Sequence, residues 1–133
     1  MPGAGKEEFL KAVEGSGLPF LRMGDLVREE YIKRGLDQSG ISVGKFAQQE
    51  RDEHGMGIWA DRATERFQGM DHIVDGCRGM AEVESFRRHS DTMTIVAIHS
   101  APQVRYLRLK ERKRADAPSD WNEFQERDRR EIG

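Results

Sequence analysis

Apolar positions along this chain switch between helical spacing and short continuous runs, and that alternation predicts the fold class. Phe9, Leu10 and Val13 share one face of a helix over residues 7–14, which Gly15-Ser16-Gly17 stops. Residues 19–23 (Pro-Phe-Leu-Arg-Met) form a short apolar run closed by Gly24. Asp25 is placed to cap a helix that continues through Leu26, Val27, Tyr31 and Ile32 to Gly35. A turn-rich link at 37–40 leads to two helices, residues 43–54 and 58–67, separated by Gly55 and Gly57 and forming a helical insertion over about residues 41–69. Ile73-Val74 reads as a short buried strand that delivers Asp75 and Arg78 at its C-terminal end, followed by a helix over 80–89 with Val83 and Phe86 inward. The run at 93–98 (Met-Thr-Ile-Val-Ala-Ile) is nearly all apolar, as in a parallel strand covered on both faces, and is expected at the centre of the sheet. Pro102 then suits the first turn of a helix with Val104 and Leu107 toward the core. Its end, residues 110–114, is strongly basic. Ser119 is placed to cap a last helix carrying Trp121, Phe124 and Ile132.

Strands alternating with helices indicate an α/β fold with a parallel sheet flanked by helices, whose ligands lie beyond the C-terminal ends of the strands. At 133 residues, one domain over 1–133 is expected. Lys+Arg 22 against Asp+Glu 24 leaves a net charge of -2, which gives no overall pull toward nucleic acid or an anionic membrane, so any anion site must be local. The mixed signs of residues 127–131 also argue against nucleic-acid binding. No apolar stretch approaches the roughly 20 residues that cross a bilayer. A single cysteine, Cys77, excludes an intrachain disulfide framework and fits a reducing cytoplasm. The four histidines show no metal-ligand spacing and read as structural. Cys77 reads as a small buried filler, and Trp59 and Trp121 as helix-packing residues. Nothing in the spacing reports the oligomeric state.

The chemistry concentrates at the start. Pro-Gly-Ala-Gly-Lys, residues 2–6, matches the end of a phosphate-binding loop. There Gly3, Ala4 and Gly5 turn backbone amides toward an anion, and Lys6 reaches the β- and γ-phosphates. A glycine-rich tail is the plain alternative, and the helix directly after Lys6 favours the loop. The pattern departs at Glu7, where a Ser or Thr hydroxyl ordinarily coordinates Mg²⁺.

With that loop, the chain resembles the nucleoside monophosphate kinases, and most closely an archaeal family of adenylate-kinase-related P-loop proteins. The resemblance extends through nearly the whole chain. Met-Gly-Asp-Leu-Val-Arg-Glu (23–29) is similar to the segment in which an arginine after Gly-Asp grips the acceptor nucleotide's phosphate, here Arg28. Asp75-Gly-Cys-Arg78 resembles the Asp-Gly-x-x-Arg signature with one residue fewer. Arg114-Ala-Asp116 with Arg127 resembles the lid pattern, in a lid-like segment over about residues 110–128, with Ala117 in place of a second acid. The resemblance further implies a P-loop NTPase sheet whose first, central strand and last strand-helix unit are missing from this chain, which would leave it poorly stable alone. It implies ATP and Mg²⁺ as cofactors and a small-molecule nucleotide as substrate.

Phosphoryl transfer needs positive charge around the equatorial oxygens more than covalent help, and forked guanidinium donors at Arg28, Arg78, Arg112, Arg114 and Arg127 suit that need. Asp75, at a strand end, is the candidate metal residue. Asp25 is a candidate for orienting the acceptor, beside its simpler reading as a helix cap. The leading expectation is an ATP-dependent phosphotransferase acting on a nucleotide-like acceptor. A dephospho-coenzyme A kinase-like enzyme is the alternative within the fold. A nucleotide-binding regulatory protein with little turnover is the alternative outside it, motivated by Glu7 and the altered lid.

Overall fold

The computed structural model describes residues 3–112 and 117–132. The chain divides into two compact units, one of Met1–Gly17 with Ile95–Gly133 and one of Leu18–Thr94. Together they carry seven α-helices and a small parallel sheet among the described residues, an α/β arrangement.

In the Leu18–Thr94 unit, β1 (Phe20–Arg22) runs directly into α2 (Met23–Lys33) and pairs in parallel with β2 (Ile73–Asp75) in the register Phe20↔Ile73, Leu21↔Val74, Arg22↔Asp75. Parallel pairing requires a crossover. α2, a short 3₁₀ turn, α3 (Val43–His54) and α4 (Ile58–Thr64) supply it. Ser42 caps α3 by accepting a hydrogen bond from the Lys45 amide, and Gly55 stops the helix at φ 99°, a left-handed value that glycine adopts without strain. The core gathers Leu21, Met23, Leu26, Val27 and Tyr31 from β1 and α2, Phe46 and Ala47 from α3, Trp59, Ala60 and Ala63 from α4, and Phe86 from α5 (Met80–Arg88). Trp59 is 0% exposed, meets Phe46 edge-on at 5.7 Å, and donates its indole N–H to the Ala47 carbonyl at 3.2 Å. Trp59 is therefore a packing residue.

The other unit holds α1 (Lys6–Glu14), α6 (Pro102–Glu111) and α7 (Trp121–Ile132). Tyr106, Trp121 and Phe124 form its aromatic cluster, with ring centroids 5.2 to 5.6 Å apart.

Four local expectations are corrected. Residues 93–98 take no strand conformation, and Ile95 and Val96 are exposed. An apolar run becomes a strand only where a neighbour takes its backbone groups, and among the described residues none does. α6 turns its other face inward, burying Arg105 and leaving Val104 and Leu107 exposed. α2 begins two residues before Asp25, which makes no cap and instead accepts from Arg28 at 2.9 Å. α7 is capped by Asp120, whose carboxylate accepts from the Glu123 amide at 2.9 Å, rather than by Ser119. Ser119 instead donates back to Glu123 through both its amide and its hydroxyl, at 2.6 and 2.7 Å. This is the reciprocal logic of a capping box, moved by one residue.

Candidate functional site

Gly3, Ala4 and Gly5 form a tight turn feeding α1, whose first residues are Lys6 and Glu7. Gly3 and Gly5 take φ 76° and 97°, left-handed values at which an L side chain is strained. Space forbids a side chain at Gly3 as well. A Cβ on Gly3 would stand 2.7 Å from the Arg105 carbonyl oxygen, and one on Gly5 would stand 3.3 Å from an Arg108 Nη. Gly5 also occupies the N-cap of α1 and brings no side-chain cap, so the first-turn amides of the helix face the loop uncapped by it. Lys6 opens the helix and is exposed, whereas Ala4 is buried.

The inner side of the turn is held by residues that spacing did not reveal. Ser100 Oγ donates to the Ala4 carbonyl at 2.8 Å. Arg108 Nη1 donates to the Gly3 carbonyl at 3.2 Å and to Ser100 Oγ at 3.1 Å. Arg105 Nε donates to the Ser100 carbonyl at 3.0 Å, and its two Nη atoms donate to Asp128 at 2.5 and 2.7 Å. Those bonds from Arg105 outweigh burial and hold the Asp128 carboxyl below its ordinary value. The arginines share a face of α6 at i and i+3, which looks in the sequence like an ordinary solvated helix side.

The remaining expected residues of this unit are Arg112, Arg114 and Arg127. Arg112 closes α6 as its C-cap and is exposed. Arg127 pairs with Glu123 one turn back on α7. Arg114 and Asp116 lie outside the described residues, as do the other positions of 113–116 in the lid-like segment.

The Leu18–Thr94 unit brings together a second group. The register Arg22↔Asp75 sets the C-terminal ends of the two strands side by side, and a Cβ on Gly76 would lie 3.5 Å from that of Met23. So the segment carrying Asp25 and Arg28 neighbours the one carrying Asp75 and Arg78, at the strand ends where α/β sheets receive ligands. Asp25 and Arg28 form an exposed ion pair, which contributes little stability and leaves Arg28 able to exchange its carboxylate for another anion. Arg78 is exposed. Its amide is held at 2.7 Å by the buried Glu82, a residue that sequence spacing had not marked and that also faces Arg51 at 3.7 Å. Cys77, expected as a buried filler, is exposed. Partial desolvation and then the Glu82 carboxylate push its thiol up, away from thiolate reactivity.

Glu50, Glu53 and His54 come close enough to suggest a metal site. Glu50 is already engaged, however: it accepts from Arg34 at 2.7 and 3.0 Å and from Arg62 at 2.5 Å. Burial would raise its carboxyl, but the bonds from Arg62 and Arg34 outweigh that and hold it below the ordinary carboxylate value. It is the hub of a structural ion-pair network.

Backbone conformation favours glycine at both Gly3 and Gly5, and close packing against Arg105 adds to this at Gly3. Asp75 offers carboxylate oxygens, donors that a hard divalent cation accepts. No helix among the described residues is long and apolar enough to cross a membrane.

Known proteins are similar in sequence over nearly the whole of this chain. The family model AAA_17, described as an AAA domain, matches residues 1–125. A UPF0200 protein of Pyrococcus horikoshii is 39% identical over 140 residues, an alignment covering 100% of this chain and 75% of the relative. A UPF0200 protein of Hyperthermus butylicus is 37% identical over 136 residues, covering 100% and 73%. One of Thermococcus onnurineus is 39% identical over 139 residues, covering 99% and 75%.

Proposed function

This chain belongs to the UPF0200 family of archaeal P-loop proteins, with an AAA_17 domain, and from that premise we propose that it is an ATP-binding phosphotransferase of the adenylate and nucleoside monophosphate kinase kind. The reaction proposed is transfer of the γ-phosphoryl group of ATP to a nucleotide-like acceptor. The observation that carries the proposal is the glycine turn at residues 3–5, whose carbonyls are drawn inward by Ser100 and Arg108 and which delivers Lys6 at the start of α1.

Each residue has a role in that reading. The amides of Gly3, Ala4 and Gly5 and the Lys6 ammonium bind the donor phosphates. Arg28 takes the acceptor's phosphate, and Asp25 orients the acceptor. Arg78, Arg112, Arg114 and Arg127 offset charge on the transferring group. Asp75 would hold Mg²⁺, which when bound would offset charge on the phosphates, and Glu7 stands where a metal-binding hydroxyl ordinarily does. An acceptor oxygen forms the new bond to phosphorus as the bond to the β–γ bridging oxygen breaks, and ADP leaves with that electron pair. A cytoplasmic setting is part of this reading, which the single cysteine fits.

A second reading, a nucleotide-binding regulatory protein with little turnover, is favoured by Glu7 and by Ala117 in place of a second lid acid. The test is calorimetric. MgATP should bind the wild-type chain, and Lys6→Ala should weaken that binding by at least about tenfold, the equivalent of one charge-assisted contact. Equal affinities would remove the phosphate-loop assignment. A coupled assay for ADP release over nucleoside monophosphates and dephospho-coenzyme A then separates the readings: binding without release anywhere on the panel selects the regulatory one.

A further inference from the structure

We infer that Asp128, on α7, is a remote positioning residue for the phosphate loop, acting through Arg105 and Ser100. The inference rests on the reading of residues 3–6 as a polyphosphate cradle. Its physical basis is the planarity of the peptide group. In a trans peptide the C=O of one residue and the N–H of the next point in opposite directions, so a hydrogen bond that fixes one also aims the other. Arg108 fixes the Gly3 carbonyl and thereby aims the Ala4 amide away from α6. Ser100 fixes the Ala4 carbonyl and thereby aims the Gly5 amide the same way. These are two of the amides that a phosphate would meet.

The aim is only as good as the position of Ser100. Its carbonyl is held by Arg105 Nε at 3.0 Å, and its hydroxyl accepts from Arg108 at 3.1 Å. Arg105 is in turn held by both oxygens of Asp128, with the two side chains 1% and 12% exposed. The main-chain carbonyl of Arg105 also lies against Gly3, so a shift of this residue reaches the loop by contact as well as through Ser100. Stability does not explain such a pair. Desolvating two charges offsets most of their attraction, and apolar side chains of similar volume commonly do as well or better. A bidentate guanidinium–carboxylate pair does provide direction, because its planar fork allows one orientation where an aliphatic chain allows several.

Two variants of the full chain test this. Ser100→Ala removes the hydroxyl that fixes Ala4. The double variant Arg105→Met with Asp128→Leu removes the pair while keeping its volume, avoiding the unpaired buried charge that a single change would leave. Two readouts are needed: ¹⁵N relaxation order parameters of the Ala4 and Gly5 amides in the nucleotide-free chain, and calorimetric MgATP affinity alongside Lys6→Ala. Both variants should keep wild-type melting behaviour. Their loop order parameters should fall from about 0.85 toward 0.6 or below, and MgATP should bind about tenfold more weakly, as when one hydrogen-bonding contact is lost.

A folded double variant with unchanged order parameters overturns the inference. If the loop loosens but MgATP affinity holds, the role in phosphate binding is overturned and only a structural one is left. The cradle reading fails separately, when wild type and Lys6→Ala bind MgATP alike; loosening of the two amides in the same samples would then still report the brace.

Discussion

The two units of this molecule are built on different interiors. In the Leu18–Thr94 unit the largest fully enclosed side chain is Trp59, in a cluster with Phe46, Ala60, Ala63 and Phe86, and the buried acid Glu50 sits between two arginines. In the unit carrying the glycine turn, the most enclosed large side chain is Arg105, and its links run to a carboxylate and a serine carbonyl, with the Phe124 ring 5.3 Å from its guanidinium. Apolar burial contributes stability roughly in proportion to area and is indifferent to direction. A buried polar network contributes less net stability but fixes orientation. The aromatic interior thus suits a scaffold, and the polar one suits a loop whose backbone must be aimed.

If that contrast is right, the largest loss of stability should come from the apolar interior. Trp59→Ala should cost about 3 to 5 kcal/mol in denaturant unfolding, because it opens a cavity and removes the indole bond to Ala47. A loss below about 1 kcal/mol would mean that Trp59 is not central to this core.

Breaking the ion-pair hub comes next. Glu50→Gln should cost about 2 kcal/mol, less than the 3 to 5 for fully enclosed pairs, since Arg34 is 40% exposed and rehydrates readily. The Glu50 carboxyl lies below its ordinary value in the folded chain, so its contribution is complete above the unfolded-state value near 4.5 and is lost as pH falls through the lower folded value. Urea midpoints measured between pH 7 and pH 3 should therefore decline less steeply in Glu50→Gln than in wild type. Parallel declines would show that this carboxylate does not govern acid stability.

The smallest effects belong to the cap of α7. Asp120→Ala should cost about 1 kcal/mol. Glu123, held by Ser119 and Arg127, has its carboxyl drawn down to about 2 from an ordinary 4.5. Its support for the helix start is complete above about pH 4.5 and is lost as pH falls toward 2. Circular dichroism should register a fraying of α7 in that window for wild type and none for Glu123→Gln, which is already neutral. Identical acid curves would sink the assignment.

Much of the architecture was legible because its signals are local. The helices at Lys6–Glu14 and Val43–His54, the short strands around Leu21 and Val74, and the glycine turn each follow from spacing, capping and backbone freedom within about ten residues. The site was legible to the same extent: Gly3, Gly5 and Lys6 fall together because they are neighbours in sequence, and Asp75 meets the Arg22 segment because two short apolar runs can pair in parallel. Local signals also misled. The apolar character of 93–98 reads as a strand, and the Val104–Leu107 spacing reads as an inward face, because pattern records which residues could be buried and not which partner arrives to bury them.

What the sequence settled alone is the chain's local geometry, its lack of overall basic charge and its glycine loop, since each depends on neighbouring residues or simple sums. What only the tertiary structure decided is the orientation of α6 and the line from Asp128 through Arg105 and Ser100 to Ala4. Arg105 meets Asp128 across 23 residues, and Ser100 meets Ala4 across 96. At such separations any of several arginines and acids could have paired, and packing alone selects which of them lies inside and what its hydrogen bonds hold.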